Sequence, residues 1–188
     1  LTFIRPACEI RLGILTIREK WQRYLQGKVS YITQDYLAEK YPIDHSKVNY
    51  IINGSVLPSP QLVRLIQQMD FNEAFLRGEE LIAAKLDEEQ IENLIRDEDI
   101  GELRGYDLED TPYIKIDNLW DIFMHNAQAI AEDFELLTKG RQSQPVSGTN
   151  QILGPAGQVF LEPGAQVECA TLNTTYGPIY LGKGTEVM

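Results

Sequence analysis

Six basic residues crowd the first 28 positions of this 188-residue chain: Arg5, Arg11, Arg18, Lys20, Arg23 and Lys28, against Glu9 and Glu19 alone. The local balance is +4 in a chain whose net charge is −11. A guanidinium fork matches two phosphate oxygens at once, so arginines beside a loop are a common way for α/β proteins to meet phosphates. Arg18, Lys20 and Arg23 fall on the polar side of a helical pattern and read as its solvated face, which leaves Arg5 and Arg11 as candidate phosphate contacts. The second candidate place is Asn53-Gly54-Ser55. It directly follows the strand pattern Val48 to Ile52, and ligands of open α/β sheets bind at the carboxyl ends of strands.

Other motif matches carry less. Gly177 to Gly184 nearly spells a P-loop, but Gly184 stands where Ser or Thr would meet magnesium and no helix pattern follows. Asn53-Gly54-Ser55 and Asn173-Thr174-Thr175 fit the glycosylation acceptor pattern, which means nothing in a cytoplasmic chain. His45 and His125 lack ligand-spaced partners and read as surface or capping residues. Cys8 and Cys169 lie too far apart to suggest a zinc cluster or disulfide framework, and read as two reduced, partly buried thiols. Asp87-Glu88-Glu89 and Asp97-Glu98-Asp99 read as the first turn and the solvated exit of one helix.

Around these residues the periodicity predicts alternating elements. Ile14, Ile17, Trp21 and Leu25 recur at helical spacing before Gly27. Val29 to Thr33 reads as a strand, Asp35 to Tyr41 as a short helix stopped by Pro42, and Val48 to Ile52 as a better strand. Ser59-Pro60 is a cap-plus-first-turn signature for a helix carrying Leu62, Val63, Leu65, Ile66 and Met69. Then come a strand from Leu81 to Leu86, an acidic helix from Asp87 to about Arg96, a strand near Tyr113 to Ile116, and a long helix from about Leu119 to Lys139. Strands alternating with helices predict a Rossmann-like α/β domain over residues 1–141 with a largely parallel sheet.

From Gln142 the composition turns linker-like, through about residue 150, and then periodic. Phe160 to Val167 can be laid over Tyr180 to Val187 at an offset of 20 residues, with Leu161 on Leu181, Gly164 on Gly184 and Val167 on Val187. That rhythm fits the first coils of a hexapeptide-repeat parallel β-helix over 151–188, incomplete because about three repeats are needed to bury a continuous core. Two unrelated hairpins are the competing reading.

Composition sets the limits. Hydrophobic residues make up 43% and charged residues 24%, which suits a packed domain rather than a disordered chain. No apolar run reaches membrane-spanning length. A pI near 4.6 disfavours nucleic acid and anionic membrane as partners. The acidity is concentrated: residues 70–121 hold 17 acids and 5 bases. A small phosphorylated ligand near the N-terminal block is therefore compatible with the total charge. No signal peptide is visible, so a cytoplasmic location is expected, and both ends read as cuts from a longer protein.

The order Leu1-Thr2-x-x-Arg5-Pro6, Ile10 to Trp21, Ile52-Asn53-Gly54 and Phe134 to Arg141, followed by the repeat, resembles a bacterial branch of the GlmU-like family. That family joins a sugar-1-phosphate nucleotidyltransferase domain to a left-handed β-helical acyltransferase domain. The resemblance implies transfer of a nucleotidyl group from UTP or dTTP to a hexose or N-acetylhexosamine 1-phosphate, with magnesium as cofactor and a homotrimer formed through the β-helix. Relatives make UDP-N-acetylglucosamine or dTDP-glucose. It places Arg5 near the family's phosphate-contacting lysine, which gives Arg5 a catalytic role, and Asn53-Gly54-Ser55 on the Gly-Asp element whose aspartate helps hold magnesium. The chain departs from the family at Ser55, which stands in place of that aspartate, at Arg5 in place of lysine, and in showing no glycine-rich nucleotide loop. The acyltransferase cofactor and base would lie farther along the β-helix. Ser55 favours a reading from another class, a catalytically degenerate sugar-nucleotide-binding or scaffolding module, whereas the arginine block favours the enzyme.

Overall fold

The computed structural model describes residues 2–44 and 46–188. Leu1 and His45, both named above, lie outside the described residues. The fold divides into two compact units, one of residues 1–10 and 16–121, the other of residues 11–15 and 122–188. Among the described residues no helix is long and apolar enough to cross a membrane.

The first unit is a mixed α/β assembly. Thr16 opens helix α1 (Ile17–Leu25) with a capping box: its side chain accepts from the Glu19 amide while the Glu19 carboxylate accepts from the Thr16 amide. Ser59 caps α3 (Pro60–Gln68), where proline at the first turn gives up no helical hydrogen bond, and Asp87 caps α4 (Glu88–Ile95) in a second box with Gln90. A short helix α2 (Asp35–Ala38) precedes strand β1 (Asn49–Ile52). Strands β2 (Glu73–Arg77), β3 (Glu80–Leu86) and β4 (Arg104–Asp107) complete one sheet in the order β1-β3-β2-β4.

This sheet corrects the expectation of a largely parallel, Rossmann-like one. β1 and β2 both pair antiparallel to β3, and only β2 with β4 is parallel. For β2 and β3 the cause is the tight connection at Gly78, whose φ of +60° closes a hairpin too short for a crossover helix. β3 is one of the two inner strands, and its consecutive Ile82, Ala83 and Ala84 are all buried.

Two predicted strands are not strands. Val29 to Thr33 is irregular, with the Tyr31 hydroxyl drawn to Glu9 at 2.7 Å instead of joining a sheet. Tyr113 to Ile116 makes one isolated antiparallel bridge among the described residues, Val56 with Lys115. β2 and β4 went unread because β2 carries a charge at each end and β4 is short, exposed and contains Gly105.

The long helix α5 (Leu119–Thr138) begins in the first unit and continues through the second. In the second unit the buried Asp133 carboxylate accepts from the Ile14 amide at 2.8 Å and the Leu15 amide at 3.0 Å, while Asn126 accepts from Gly13. Gly13 has φ +83°, and a Cβ there would lie 2.6 Å from Asp133 Oδ2 and 2.8 Å from the Ala129 backbone. The block Arg11 to Leu15 is thus fitted to one turn of α5, and only glycine admits the approach.

Beyond α5, strands β5 (Gln151–Leu153), β6 (Val159–Leu161) and β7 (Gln166–Val167) pair in parallel with β8 (Thr171–Asn173), β9 (Ile179–Leu181) and β10 (Glu186–Val187). Each pair joins a residue to the one 20 positions later, the offset expected from the repeat, and parallel register excludes hairpins. The strands form three small two-stranded sheets around Val159, Leu161, Ala165, Val167 and Leu172. Phe160 stacks on Tyr180 with centroids 5.5 Å apart, and Arg141 lies over the Phe160 ring. Glu162 accepts from the Tyr180 hydroxyl and from Arg141 at 2.6 Å.

Replacing Asp133 by Ala leaves two backbone amides without their acceptor, and urea denaturation is expected to register a loss of about 2–4 kcal/mol. The hydrogen bonds of Tyr180 first and Arg141 second hold the Glu162 carboxyl down at about 2. A depressed carboxylate stabilises fully above its unfolded value and loses that contribution as pH falls through the folded one. Thermal melts should therefore weaken between about pH 4.5 and pH 2 in the parent, and less so in Glu162→Gln.

Candidate functional site

The turn after β1 is fixed from every side within the first unit. The Asn53 amide donates to Ile82 of β3 at 2.9 Å, and Val56 donates back to the Asn53 carbonyl at 3.0 Å. Asn53 Oδ1 accepts from both the amide and the hydroxyl of Ser55, an arrangement that local Asx geometry favours. The Ser55 carbonyl accepts from Ile116, and the Trp21 indole donates to the Val56 carbonyl at 2.8 Å. A Cβ on Gly54 would sit 3.3 Å from the Cys8 amide, so glycine lets the turn lie against the tight turn Ala7–Glu9.

This turn forms one wall of a cleft of about 1060 Å³, lined also by Arg5, Cys8, Tyr31, Tyr50, Glu80 and Lys115. That is room for a ligand of nucleotide-sugar size. The structure brings Arg5, Asn53, Gly54 and Ser55 to this one cleft. Arg11 is not among the residues lining it. It belongs to the second unit, and its guanidinium donates to the Ile14 carbonyl.

The cations of the cleft differ in availability. Arg18 is bound to Glu9 at 2.5 Å, and Lys28 is paired with Asp44. Lys115 is bound to Glu80 at 2.8 Å and also to Asp117. Arg5 is exposed and makes no ion pair or hydrogen bond among the described residues. Its guanidinium is thus ready for an incoming anion without first leaving a protein carboxylate.

The network of Glu80, Lys115 and Asp117 escaped the sequence reading. Asn53 Nδ2 donates to Glu80 at 3.0 Å, which ties the network to the turn. Burial opposes the Lys115 charge, but hydrogen bonds with Asp117 and Glu80 outweigh it and raise the lysine above its ordinary value. The available signal was the sequence Lys115-Ile116-Asp117, with both charged residues on one side of an extended segment. Glu80, 35 residues earlier, could be joined to it only by the fold.

Magnesium demands several hard oxygen donors in near-octahedral geometry. Ser55 offers a hydroxyl already bonded to Asn53, Glu80 accepts from both Asn53 and Lys115, and Asp117 is engaged by the same ammonium. Among the described residues no group of three metal-binding side chains gathers. In this arrangement the donor set does not fit a protein-held magnesium ion.

Glu9 joins two residues that line the cleft, the Arg18 guanidinium and the Tyr31 hydroxyl. Burial, then the hydrogen bond to Glu9, pushes the Tyr31 phenol above its ordinary range. Burial and the neighbouring Glu9 push the Cys8 thiol up to about 11. Cys169, by contrast, is exposed, against the expectation of partial burial.

A family model described as sugar nucleotidyl transferase matches residues 1–142. No curated protein and no solved structure matches the chain.

At pH 8 a thiol of pKa about 11 is ionised in roughly one molecule per thousand. With a disulfide reagent at that pH, Cys169 is expected to be labelled promptly and Cys8 at least about tenfold more slowly, resolved by comparing Cys169→Ser with Cys8→Ser.

Proposed function

The chain belongs to the sugar nucleotidyl transferase family, and on that premise we propose that its first unit transfers a nucleotidyl group from UTP or dTTP to a hexose or N-acetylhexosamine 1-phosphate. The observation that carries this reading is Arg5, exposed and without a partner among the described residues, on the wall of a cleft large enough for both substrates. A phosphate oxygen of the sugar phosphate attacks the α-phosphorus of the nucleotide. The bond from that phosphorus to the bridging oxygen breaks, and pyrophosphate leaves with the electron pair. Such a transfer depends on in-line positioning and on charge stabilisation, with no covalent enzyme intermediate. Arg5 is the catalytic residue of this proposal: its guanidinium holds phosphate oxygens while negative charge shifts to the leaving pyrophosphate. The turn Asn53-Gly54-Ser55 presents polar groups to the same ligand. Magnesium enters as the counter-ion that a triphosphate brings in solution, where it neutralises phosphate oxygens.

The three parallel strand pairs at a 20-residue offset support the further reading of residues 151–188 as the start of a left-handed, hexapeptide-repeat β-helix of acyltransferase type. A homotrimer built through that β-helix, in the cytoplasm, belongs to the same proposal. The poor fit of Ser55, Glu80 and Asp117 to magnesium favours the second reading, a catalytically degenerate module that binds a sugar nucleotide or scaffolds the β-helix.

Pyrophosphate release with UTP or dTTP, a panel of sugar 1-phosphates and magnesium separates the two. Turnover with one pair, reduced about 10–100-fold in kcat/KM by Arg5→Ala, is the expected result. Binding of a nucleotide sugar without turnover of any pair establishes the second reading instead.

A further inference from the structure

Lys115 is a cation without an assigned task. Its side chain is only 18% exposed, and it stands on the cleft wall beside the turn that carries Ser55, held there by the Val56–Lys115 bridge. The two carboxylates that engage it are unequal. Glu80 is additionally fastened by Asn53 at 3.0 Å, whereas Asp117 is 60% exposed and its side chain has no other partner among the described residues. The Asp117 backbone is held separately, its amide donating to Asp121 at 2.9 Å, so the side chain can leave without disturbing the chain path. An ammonium has three donors, and Glu80 and Asp117 occupy two.

We propose that Lys115 is a phosphate-binding residue of the cleft, and that the exposed Asp117 carboxylate is a placeholder that the ligand's phosphate displaces from its ammonium. The inference rests on the phosphorylated-substrate reading above and deepens it by naming a second cation beside Arg5. Carboxylate and phosphate oxygens make the same charge-assisted hydrogen bond to an ammonium, so the exchange trades one such bond for another. It also removes the difficulty posed by the misfit to magnesium, because the charge facing the phosphate comes from a residue fixed in the wall. Glu80 remains behind as the anchor that keeps Lys115 aimed and protonated.

Calorimetric titration with inorganic pyrophosphate in the presence of a chelator tests this. Asp117→Asn is expected to bind about threefold more tightly than the parent, since a surface ion pair no longer competes. Lys115→Gln is expected to bind about tenfold or more weakly. The deciding measurement is the double variant: with Lys115 already replaced, Asp117→Asn should bring no gain beyond that of Asp110→Asn, a control acid outside the cleft lining. An equal gain from Asp117→Asn in both backgrounds overturns the proposal, as does undiminished binding by a folded Lys115→Gln. Because Asp117 is exposed, its single variant decides the matter even if Lys115→Gln fails to fold, and no gain there overturns the proposal too. The nucleotide reading fails separately: the pyrophosphate pattern would stand with no sugar phosphate and nucleotide pair turned over. Conversely, turnover that depends on Arg5 but is indifferent to Lys115 sinks this inference alone.

Discussion

A buried turn must find partners for its own backbone, and in this protein the turn Asn53 to Leu57 finds them in three separate stretches of chain, while a fourth lies against its glycine. β3 accepts the Asn53 amide, α1 supplies the Trp21 indole to Val56, the Ile114–Ile116 segment pairs with Ser55 and Leu57, and the Cys8 backbone lies against Gly54. A peptide group left unpaired inside a protein costs about as much as several ordinary hydrogen bonds contribute. The requirement therefore decides where α1 and the irregular segment after Pro112 can lie, and the small size of Gly54 admits the N-terminal tight turn beside them. The cleft is the space left when all four have docked on one turn.

The sequence was most legible where a local rule decides the structure. α1 was readable from the helical spacing of Ile17, Trp21 and Leu25, and α3 and α4 from Ser59 and Asp87, which satisfy the amides of a first turn, a requirement contained within four residues. The sheet was less so. β2 and β4 are strands because partners lie beside them, and neither Glu73 to Arg77 nor Arg104 to Asp107 announces that by alternation. Val29 to Thr33 shows the reverse: β-branched and aromatic residues suit a strand, but no edge receives them, and Tyr31 finds its partner in Glu9.

The candidate site divides along the same line. Arg5 and the Asn53 to Ser55 turn were found from residue type and position, and the fold lines one cleft with them. Arg11 shares the arginine signal yet lies in a segment that the fold shapes differently, where Gly13 and the buried Asp133 set the geometry. Asp133, in the middle of a helix, looks from sequence like any solvated acid. Glu80 and Lys115 are joined by a hairpin end and a single bridge, neither of which leaves a pattern in sequence. Residue chemistry could nominate candidates, but burial and pairing assigned their roles.

The 20-residue register of the last segment has an evolutionary corollary. When each position is stacked on an equivalent one, as Phe160 is on Tyr180 and Val167 on Val187, a substitution is judged by its counterpart as well as by its neighbours in the chain. Drift in such a segment should proceed by paired exchanges that preserve the joint volume of a stack. Insertions are absorbed in the turns between strands, because one extra residue within a strand would turn every later side chain to the opposite face.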